Sequence, residues 1–140
     1  MVHILLWLGL SVLLNKLAIV LSLLTSDLAA HEMTPAYPVL KLSHVSGIVK
    51  AEMSLFNSRE DVSYYQIEVF DLNWNNLPFS TTYKIMKVDY KERRNFNVYI
   101  RKSDLDIATY ICSTSKVKRK SGAQTLISSR ICSKINGDAA

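Results

Sequence analysis

The chain has 140 residues, of which 49% are hydrophobic and 21% charged, and its formal net charge is +5. This length suits one domain and excludes large multidomain enzymes and large cofactor-binding domains. Only four glycines and three prolines occur among many apolar residues, which excludes collagen-like and disordered chains. Lys16 and Asp27 are the only charged residues of the first thirty, and they cancel. The positive charge therefore belongs to residues 31–140.

The first thirty residues have the pattern of an export signal. A predominantly apolar stretch covers 4–24, interrupted at Lys16 and its neighbour, and small residues lead up to Ala30. A positive charge, an apolar run and a small-residue end are typical of a cleaved signal peptide. The stretch is longer than usual, so a retained membrane tether through 4–24 stays open. We predict a hydrophobic signal helix in residues 1–30. A domain of residues 31–140 follows. We predict that it is periplasmic or secreted, or that it is anchored to a membrane with the domain outside the cytoplasm.

Cys112 and Cys132 are the only two cysteines. Nineteen residues separate them, and no Cys-x-x-Cys motif occurs. This spacing is not typical of a zinc or redox motif. An even number of cysteines in a small exported domain indicates one disulfide, with two unpaired buried thiols as the alternative.

After Pro38, apolar and polar residues alternate with a period of two. The alternation predicts strands near 40–42 and over 48–56, 63–71, 83–88, 95–101, 107–116 and 125–135. About seven short antiparallel strands in a domain of this size are typical of an immunoglobulin-like β-sandwich, and we predict this all-β fold. The inward positions predict a core of Val49, Met53, Leu55, Tyr65, Ile67, Val69, Phe96, Val98, Ile100 and Tyr110.

Residues 96–112 resemble the E–F region of immunoglobulin domains. An alternating strand from Phe96 to Ile100 is followed by Asp106-Ile107-Ala108-Thr109-Tyr110-Ile111-Cys112. This segment is similar to the Asp-x-Ala-x-Tyr-x-Cys run that forms the tyrosine corner in those domains. The resemblance implies that Tyr110 takes the place of the corner tyrosine.

Over residues 38–135, the order of elements is similar to the N-terminal domain of periplasmic pilus chaperones, the PapD-like group. The similar features are a strand that ends at Phe56 before a polar turn, the strand from Tyr65 to Phe70, and a loop with Pro78. A tyrosine-rich strand, a basic loop and a final alternating strand follow. One branch of this family has a disulfide between strands F and G. The resemblance implies that Cys112 and Cys132 form that bridge.

The final strand supplies the first candidate partner-binding residues. Ile127, Ile131 and Ile135 share one face of it. Pilus chaperones lend such a strand to a partner, where backbone hydrogen bonds give affinity and alternate side chains fill pockets. The alternative is that the three isoleucines pack into the protein's own core.

The loop before this strand supplies the second set. Four positive charges fall within five residues, at Lys116, Lys118, Arg119 and Lys120. On a hairpin loop they would attract phosphate, anionic lipid or an acidic protein, and a solvated loop is the alternative. Nucleic acid is not a predicted partner, because the domain is exported and the loop lacks interleaved aromatic residues.

A copper site is the second functional hypothesis. Cleavage after Ala30 would make His31 the first residue, and a terminal histidine can chelate copper through its amine and imidazole. His44 or Met33 would complete the site, since imidazole suits copper(II) and thioether sulfur suits copper(I). Periplasmic copper-resistance proteins of the C type, which are also β-sandwiches, are similar in having such a terminus.

Motifs of the common enzyme classes do not occur. The sequence contains no glycine-rich phosphate loop, no Gly-x-Ser-x-Gly and no His-Glu-x-x-His. Asp104 and Asp106 lie in a turn-like segment and are more typical of solvated residues than of an acid–base pair. We predict a non-enzymatic, exported protein-binding module without a cofactor, which captures another protein by strand-edge pairing. The alternative is a periplasmic copper-binding protein.

Overall fold

The computed structural model describes residues 30–116 and 127–135. The predicted signal segment apart from Ala30, and the basic residues Lys118, Arg119 and Lys120, lie outside the described residues. No helix in the described part of the chain has the length and hydrophobicity needed to cross a membrane.

The described residues form eight strands and one short 3-10 helix. The strands are β1 (Glu32–Thr34), β2 (Leu40–Leu42), β3 (Ile48–Phe56), β4 (Tyr64–Phe70), β5 (Ile85–Lys87), β6 (Arg93–Arg101), β7 (Tyr110–Lys116) and β8 (Arg130–Lys134). The 3-10 helix covers Lys102–Asp104. Strand β1 was not predicted, because three residues are too few for an alternating pattern to be recognised.

The strands form two antiparallel sheets. In the first, β3 pairs with β6 along its whole length, while β1 and β2 share its other edge at opposite ends. The second sheet has the order β5-β4-β7-β8. The two sheets pack face to face, so the described residues form a β-sandwich, as predicted.

The core lies between the two sheets. Nine of the ten predicted core residues are buried, and all nine come from β3, β4 and β6. These strands alternate because one face meets the other sheet and one face meets solvent. The tenth prediction, Tyr110, is wrong: its side chain is half-buried on the outer face of β7, and Ile111 points into the core instead.

Candidate functional site

Among the described strands, β8 lies at the edge of its sheet, and the hydrogen-bond pattern shows which of its backbone groups face away from β7. The N–H of Ile135 donates to the carbonyl of Thr109, and the N–H of Ser115 donates to the carbonyl of Ser129, both at 2.8 Å. Odd-numbered residues of this segment therefore bond to β7. The backbone N–H and C=O groups of successive residues in a strand point to opposite sides. Those of the even-numbered residues therefore point away from β7.

Only part of this edge is open. The N–H of Lys134 donates to the carbonyl of Ala36 at 2.9 Å, so the chain after β1 covers that end. The outward backbone groups of Arg130 and Cys132 have no backbone partner among the described residues. We call these two residues the β8 edge. It offers two N–H donors and two carbonyl acceptors on one line, which is the pattern that an added strand requires.

The three isoleucines predicted to bind a partner are not equivalent in the structure. Ile135 is buried in the core, and Ile131 is partly buried against the same core. Ile127 is 77% exposed ahead of the strand. The side chain of Ile135 and most of the side chain of Ile131 therefore pack into the protein's own core. Of the three isoleucines, Ile127 alone is accessible to a partner beside the β8 edge.

A disulfide joins the two strands at the centre of this region. Cys112 and Cys132 lie directly opposite each other in the β7–β8 register and are bonded. The predicted bridge is therefore present in the structure. The disulfide attaches the β8 edge to the central strand β7 at Cys132, one of the two residues with outward backbone groups.

Basic side chains lie on the outer face around the disulfide. Arg130 donates from Nε to Thr114 Oγ1 at 3.1 Å, and its guanidinium lies over the Phe70 ring at 5.2 Å. Lys134 is opposite Tyr110 in the register, and Lys116 ends β7 as an exposed residue. Of the four predicted loop cations, only Lys116 lies within the described residues.

An aromatic cluster that the sequence analysis missed adjoins these cations. Trp74 stacks on Tyr110 with ring centroids 4.9 Å apart, and Phe70 meets the indole edge-on at 5.8 Å. Trp74 has a φ of 64°, which is uncommon for a residue with a side chain. The turn is held by Asp71, whose carboxylate accepts the backbone N–H of Asn75 at 2.8 Å. The only sequence signal is a tryptophan within a polar turn.

A buried polar network supports the segment before β8, and Arg59 is its charged member. Its Nη1 donates to the carbonyl of Ile127 at 2.9 Å and to Ser129 Oγ at 3.2 Å. Its Nε donates to Asp61 Oδ1 at 2.9 Å, which raises the pKa of Arg59 and lowers that of Asp61. Arg59 thereby fixes the chain at the point where it enters β8.

Asn57 is the centre of the same network and is fully buried. Its Oδ1 accepts the hydroxyl of Tyr65 at 2.6 Å and the backbone N–H of Arg59 at 2.8 Å. Its Nδ2 donates to the carbonyls of Val62 at 2.7 Å and Val88 at 3.0 Å. All four hydrogen bonds that a side-chain amide can make are thus present.

His31 joins the chain before β1 to this network. The imidazole is buried, with Nε2 at 2.8 Å from Ser113 Oγ and Nδ1 at 3.2 Å from Ser129 Oγ. Its ring packs against the Tyr65 ring at 4.7 Å between centroids. Burial lowers the pKa of His31, and the positive charge of Arg59 lowers it further.

The three residues of the copper hypothesis do not come together. His31 and Met33 are buried beside the far end of β3, where Met33 is opposite Leu55. His44 is exposed in the turn before Ile48, at the other end of that strand. Ile48 and Leu55 are seven residue steps apart along β3, or about 23 Å. No metal-binding group of three His, Cys, Asp or Glu residues occurs in 30–116 or 127–135, and we do not propose a copper site.

Acidification is expected to destabilise the protein through His31. The unfolded chain has the ordinary histidine pKa of 6.5, and the folded state has a lower one. The unfolded state therefore binds the proton more tightly, and the stabilisation is complete above pH 6.5. It is lost as the pH falls below 6.5 towards the folded-state pKa. Urea unfolding between pH 7.5 and 5 measures this slope.

The matched pair of variants for this prediction is His31→Gln and His44→Gln. We expect His31→Gln to flatten the slope below pH 6.5, because the buried titrating group is gone. The exposed His44 makes no contact with the network, so its replacement should keep the slope of the original protein. Equal slopes in all three proteins would show that His31 does not control the pH dependence.

No protein-family model matches the chain, and no curated protein sequence matches it. Among solved structures, it is similar to a chain in the complex of the Salmonella enterica SafA pilin with the SafB chaperone (Type I). The TM-score is 0.57 at 14% identity, and the match covers 79% of this chain. It covers 55% of the other chain, so this protein spans about half of that length. At such identity the likeness shows the fold alone, a β-sandwich of the type found in that complex.

Proposed function

We propose that this protein is an exported, non-enzymatic binding module that captures another protein by adding one of its strands to the β8 edge. The observation that carries the proposal is the pair of outward-facing residues, Arg130 and Cys132, on a strand whose other side is paired with β7 along its whole length. Backbone hydrogen bonds to such an edge supply affinity, and side chains at alternate positions supply specificity. The likeness to a chain of a pilin–chaperone complex supports this choice.

The surroundings of the β8 edge support binding with little rearrangement. The disulfide holds Cys132 to β7, and Arg59 holds the carbonyl of Ile127 and the hydroxyl of Ser129. A partner strand would therefore meet a backbone whose conformation is already fixed. Pre-organisation of this kind lowers the entropic cost of association.

Fold class and location belong to the same proposal. In the first sheet, β1 and β2 together correspond to strand A, β3 to strand B and β6 to strand E. In the second sheet, β5, β4, β7 and β8 correspond in that order to strands C′, C, F and G. This strand order supports the immunoglobulin-like class, and we propose that the domain belongs to it. Disulfides persist in oxidising compartments, so the bridge supports a periplasmic or secreted location.

The test replaces Arg130 with proline and, as a matched control, with alanine. Both variants lack the guanidinium, but only proline also removes the outward N–H. That N–H makes no bond to β7, so the ladder between the strands is preserved. We expect Arg130→Ala to weaken partner capture by no more than about threefold, the effect of one partly exposed charge. Arg130→Pro should lose most of the capture, with similar urea midpoints for the two variants.

Capture is measured with a photo-reactive residue in place of Ile127, irradiated in an extracytoplasmic extract of the producing cells. The control carries the same residue at Ile85, which is 57% exposed on β5, the opposite edge strand of that sheet. We expect a defined cross-linked protein from position 127 and none from position 85. Equal cross-linking from both positions, or full capture by Arg130→Pro, would contradict strand addition at β8.

A further inference from the structure

We infer that the partner strand taken up at the β8 edge is acidic on one face, with Asp or Glu at the two positions opposite Arg130 and Cys132. The inference rests on the proposed function, since it concerns the chemistry of the strand that would bind there. Its basis is a set of cations on the outer face of the β7–β8 pair, formed by Lys116, Arg130 and Lys134.

The geometry of strand addition brings the partner's side chains beside these cations. On β8 the residues with outward backbone groups also direct their side chains to the outer face of the sheet. A partner residue opposite Arg130 would lie about 5 Å from it, measured between Cβ atoms. A partner residue opposite Cys132 would be diagonal to both Arg130 and Lys134, at about 7–8 Å, which long side chains span.

These cations differ from the six basic residues on the other described strands, all of which form ion pairs. Lys84, Lys91 and Lys102 also form none among the described residues, but they lie outside the strands. Seven ion pairs occur among the described residues. On the other sheet, for example, Lys41 and Lys50 both form ion pairs with Glu52. None of the seven involves Lys116, Arg130 or Lys134. An acidic partner strand would supply the missing carboxylates.

The carboxylate that lies nearest to β8 in the strand register, that of Glu68, already accepts hydrogen bonds from other residues. Glu68 is opposite Cys112 on β4, two strands from β8. It accepts hydrogen bonds from Gln66 at 3.0 Å and Thr114 at 3.4 Å. Arg130 is meanwhile held in place by the Phe70 ring and the Thr114 hydroxyl, so its charge stays beside the β8 edge.

The same charges disfavour a second copy of this chain as the occupant. Two copies related by a two-fold axis would pair their β8 strands antiparallel, with Cys132 opposite its equivalent. Arg130 of each copy would then face Lys134 of the other, and like charges directly opposite each other are destabilising. The N–H of Lys134 is also already donated to Ala36.

The test uses two synthetic nine-residue peptides that alternate valine with polar residues. In the first, two successive polar positions near the centre are glutamate, and in the second they are glutamine. We expect the glutamate peptide to bind about fivefold more tightly in low salt, from two partly exposed charge pairs. The preference should disappear in about 0.5 M salt, where the Debye length falls below 5 Å.

Charge variants identify the residues responsible. Arg130→Gln/Lys134→Gln should bind the two peptides nearly equally, since it keeps every backbone donor but loses both cations of β8, leaving only Lys116 on β7. Lys91→Gln/Lys102→Gln has the same change in net charge at exposed positions away from β8 and should keep the preference for glutamate. A preference that survives Arg130→Gln/Lys134→Gln would overturn the inference.

The outcomes separate this inference from the proposed function. If both peptides bind equally to the original protein and Arg130→Pro abolishes both, strand addition stands and the acidic partner is wrong. If neither peptide binds, or Arg130→Pro has no effect on either, strand addition itself fails and the inference fails with it. A dimer in sedimentation that Arg130→Pro dissociates would show that a second copy occupies the β8 edge, again overturning the inference.

Discussion

Replacing Asn57 with alanine is expected to lower the free energy of unfolding by about 4 kcal/mol, at about 1 kcal/mol for each hydrogen bond lost. The substitution leaves four buried groups without their partner: the hydroxyl of Tyr65, the N–H of Arg59, and the carbonyls of Val62 and Val88. None of these groups can reach water easily at a position that is fully buried. Urea unfolding monitored by fluorescence measures the change.

Two further variants calibrate this result. Asn95→Ala removes an exposed amide from β6 and should change stability by no more than about 0.5 kcal/mol. Tyr65→Phe removes one bond to Asn57 and should cost about 1 kcal/mol. A loss below about 1.5 kcal/mol for Asn57→Ala would mean that the buried groups find other partners and that the network is not a main support of the segment before β8.

The strands with one solvent-facing side could be predicted closely from the sequence. The predicted bounds 48–56 are those of β3. The predicted strand 63–71 exceeds β4 by one residue at each end, and 95–101 begins two residues after β6 and ends with it. In these strands, the polar face is wet and the apolar face is covered, so the period of two is visible in the residues themselves.

In strand β7, the alternation of residue types predicts the wrong face as the inward one. Both of its faces are covered, one by the core and the other by the Trp74 ring and the disulfide. Apolar residues then occur on both faces, and the alternation no longer indicates which one points inward. The pattern therefore predicts Tyr110 in the core, whereas Ile111 occupies it.

The candidate site could be predicted only in part. The last strand and the cysteine pair were visible because they depend on local pattern and on cysteine number. The polar network was not, since Asn57 and Arg59 lie in a cluster of turn-type residues that normally faces solvent. Arg59 is bonded to Ser129, and Ser129 to His31; both partners are distant in sequence and come near this turn only in the folded chain.

The disulfide accounts for the second large effect. Cys112→Ala/Cys132→Ala is expected to lower the free energy of unfolding by about 3 kcal/mol, because the bridge closes a loop of 20 residues in the unfolded chain. Urea unfolding of the oxidised protein and of the double variant measures the loss. The original protein in reductant should approach the stability of the variant, while the variant itself should not respond to reductant.

Hydrogen exchange locates the effect within the fold. The amides of Ile131 and Ser133 bond to β7 and should be protected in the oxidised protein, whereas those of Arg130 and Cys132 face outward and should exchange quickly. Without the bridge, the pairing with β7 is the one strand pairing that joins β8 to its sheet among the described residues. Protection at Ile131 and Ser133 should then fall more than protection along β3 and β6, which pair over nine residues. An equal loss in all strands would mean that the disulfide stabilises the whole domain, and that the β8 edge keeps its shape without it.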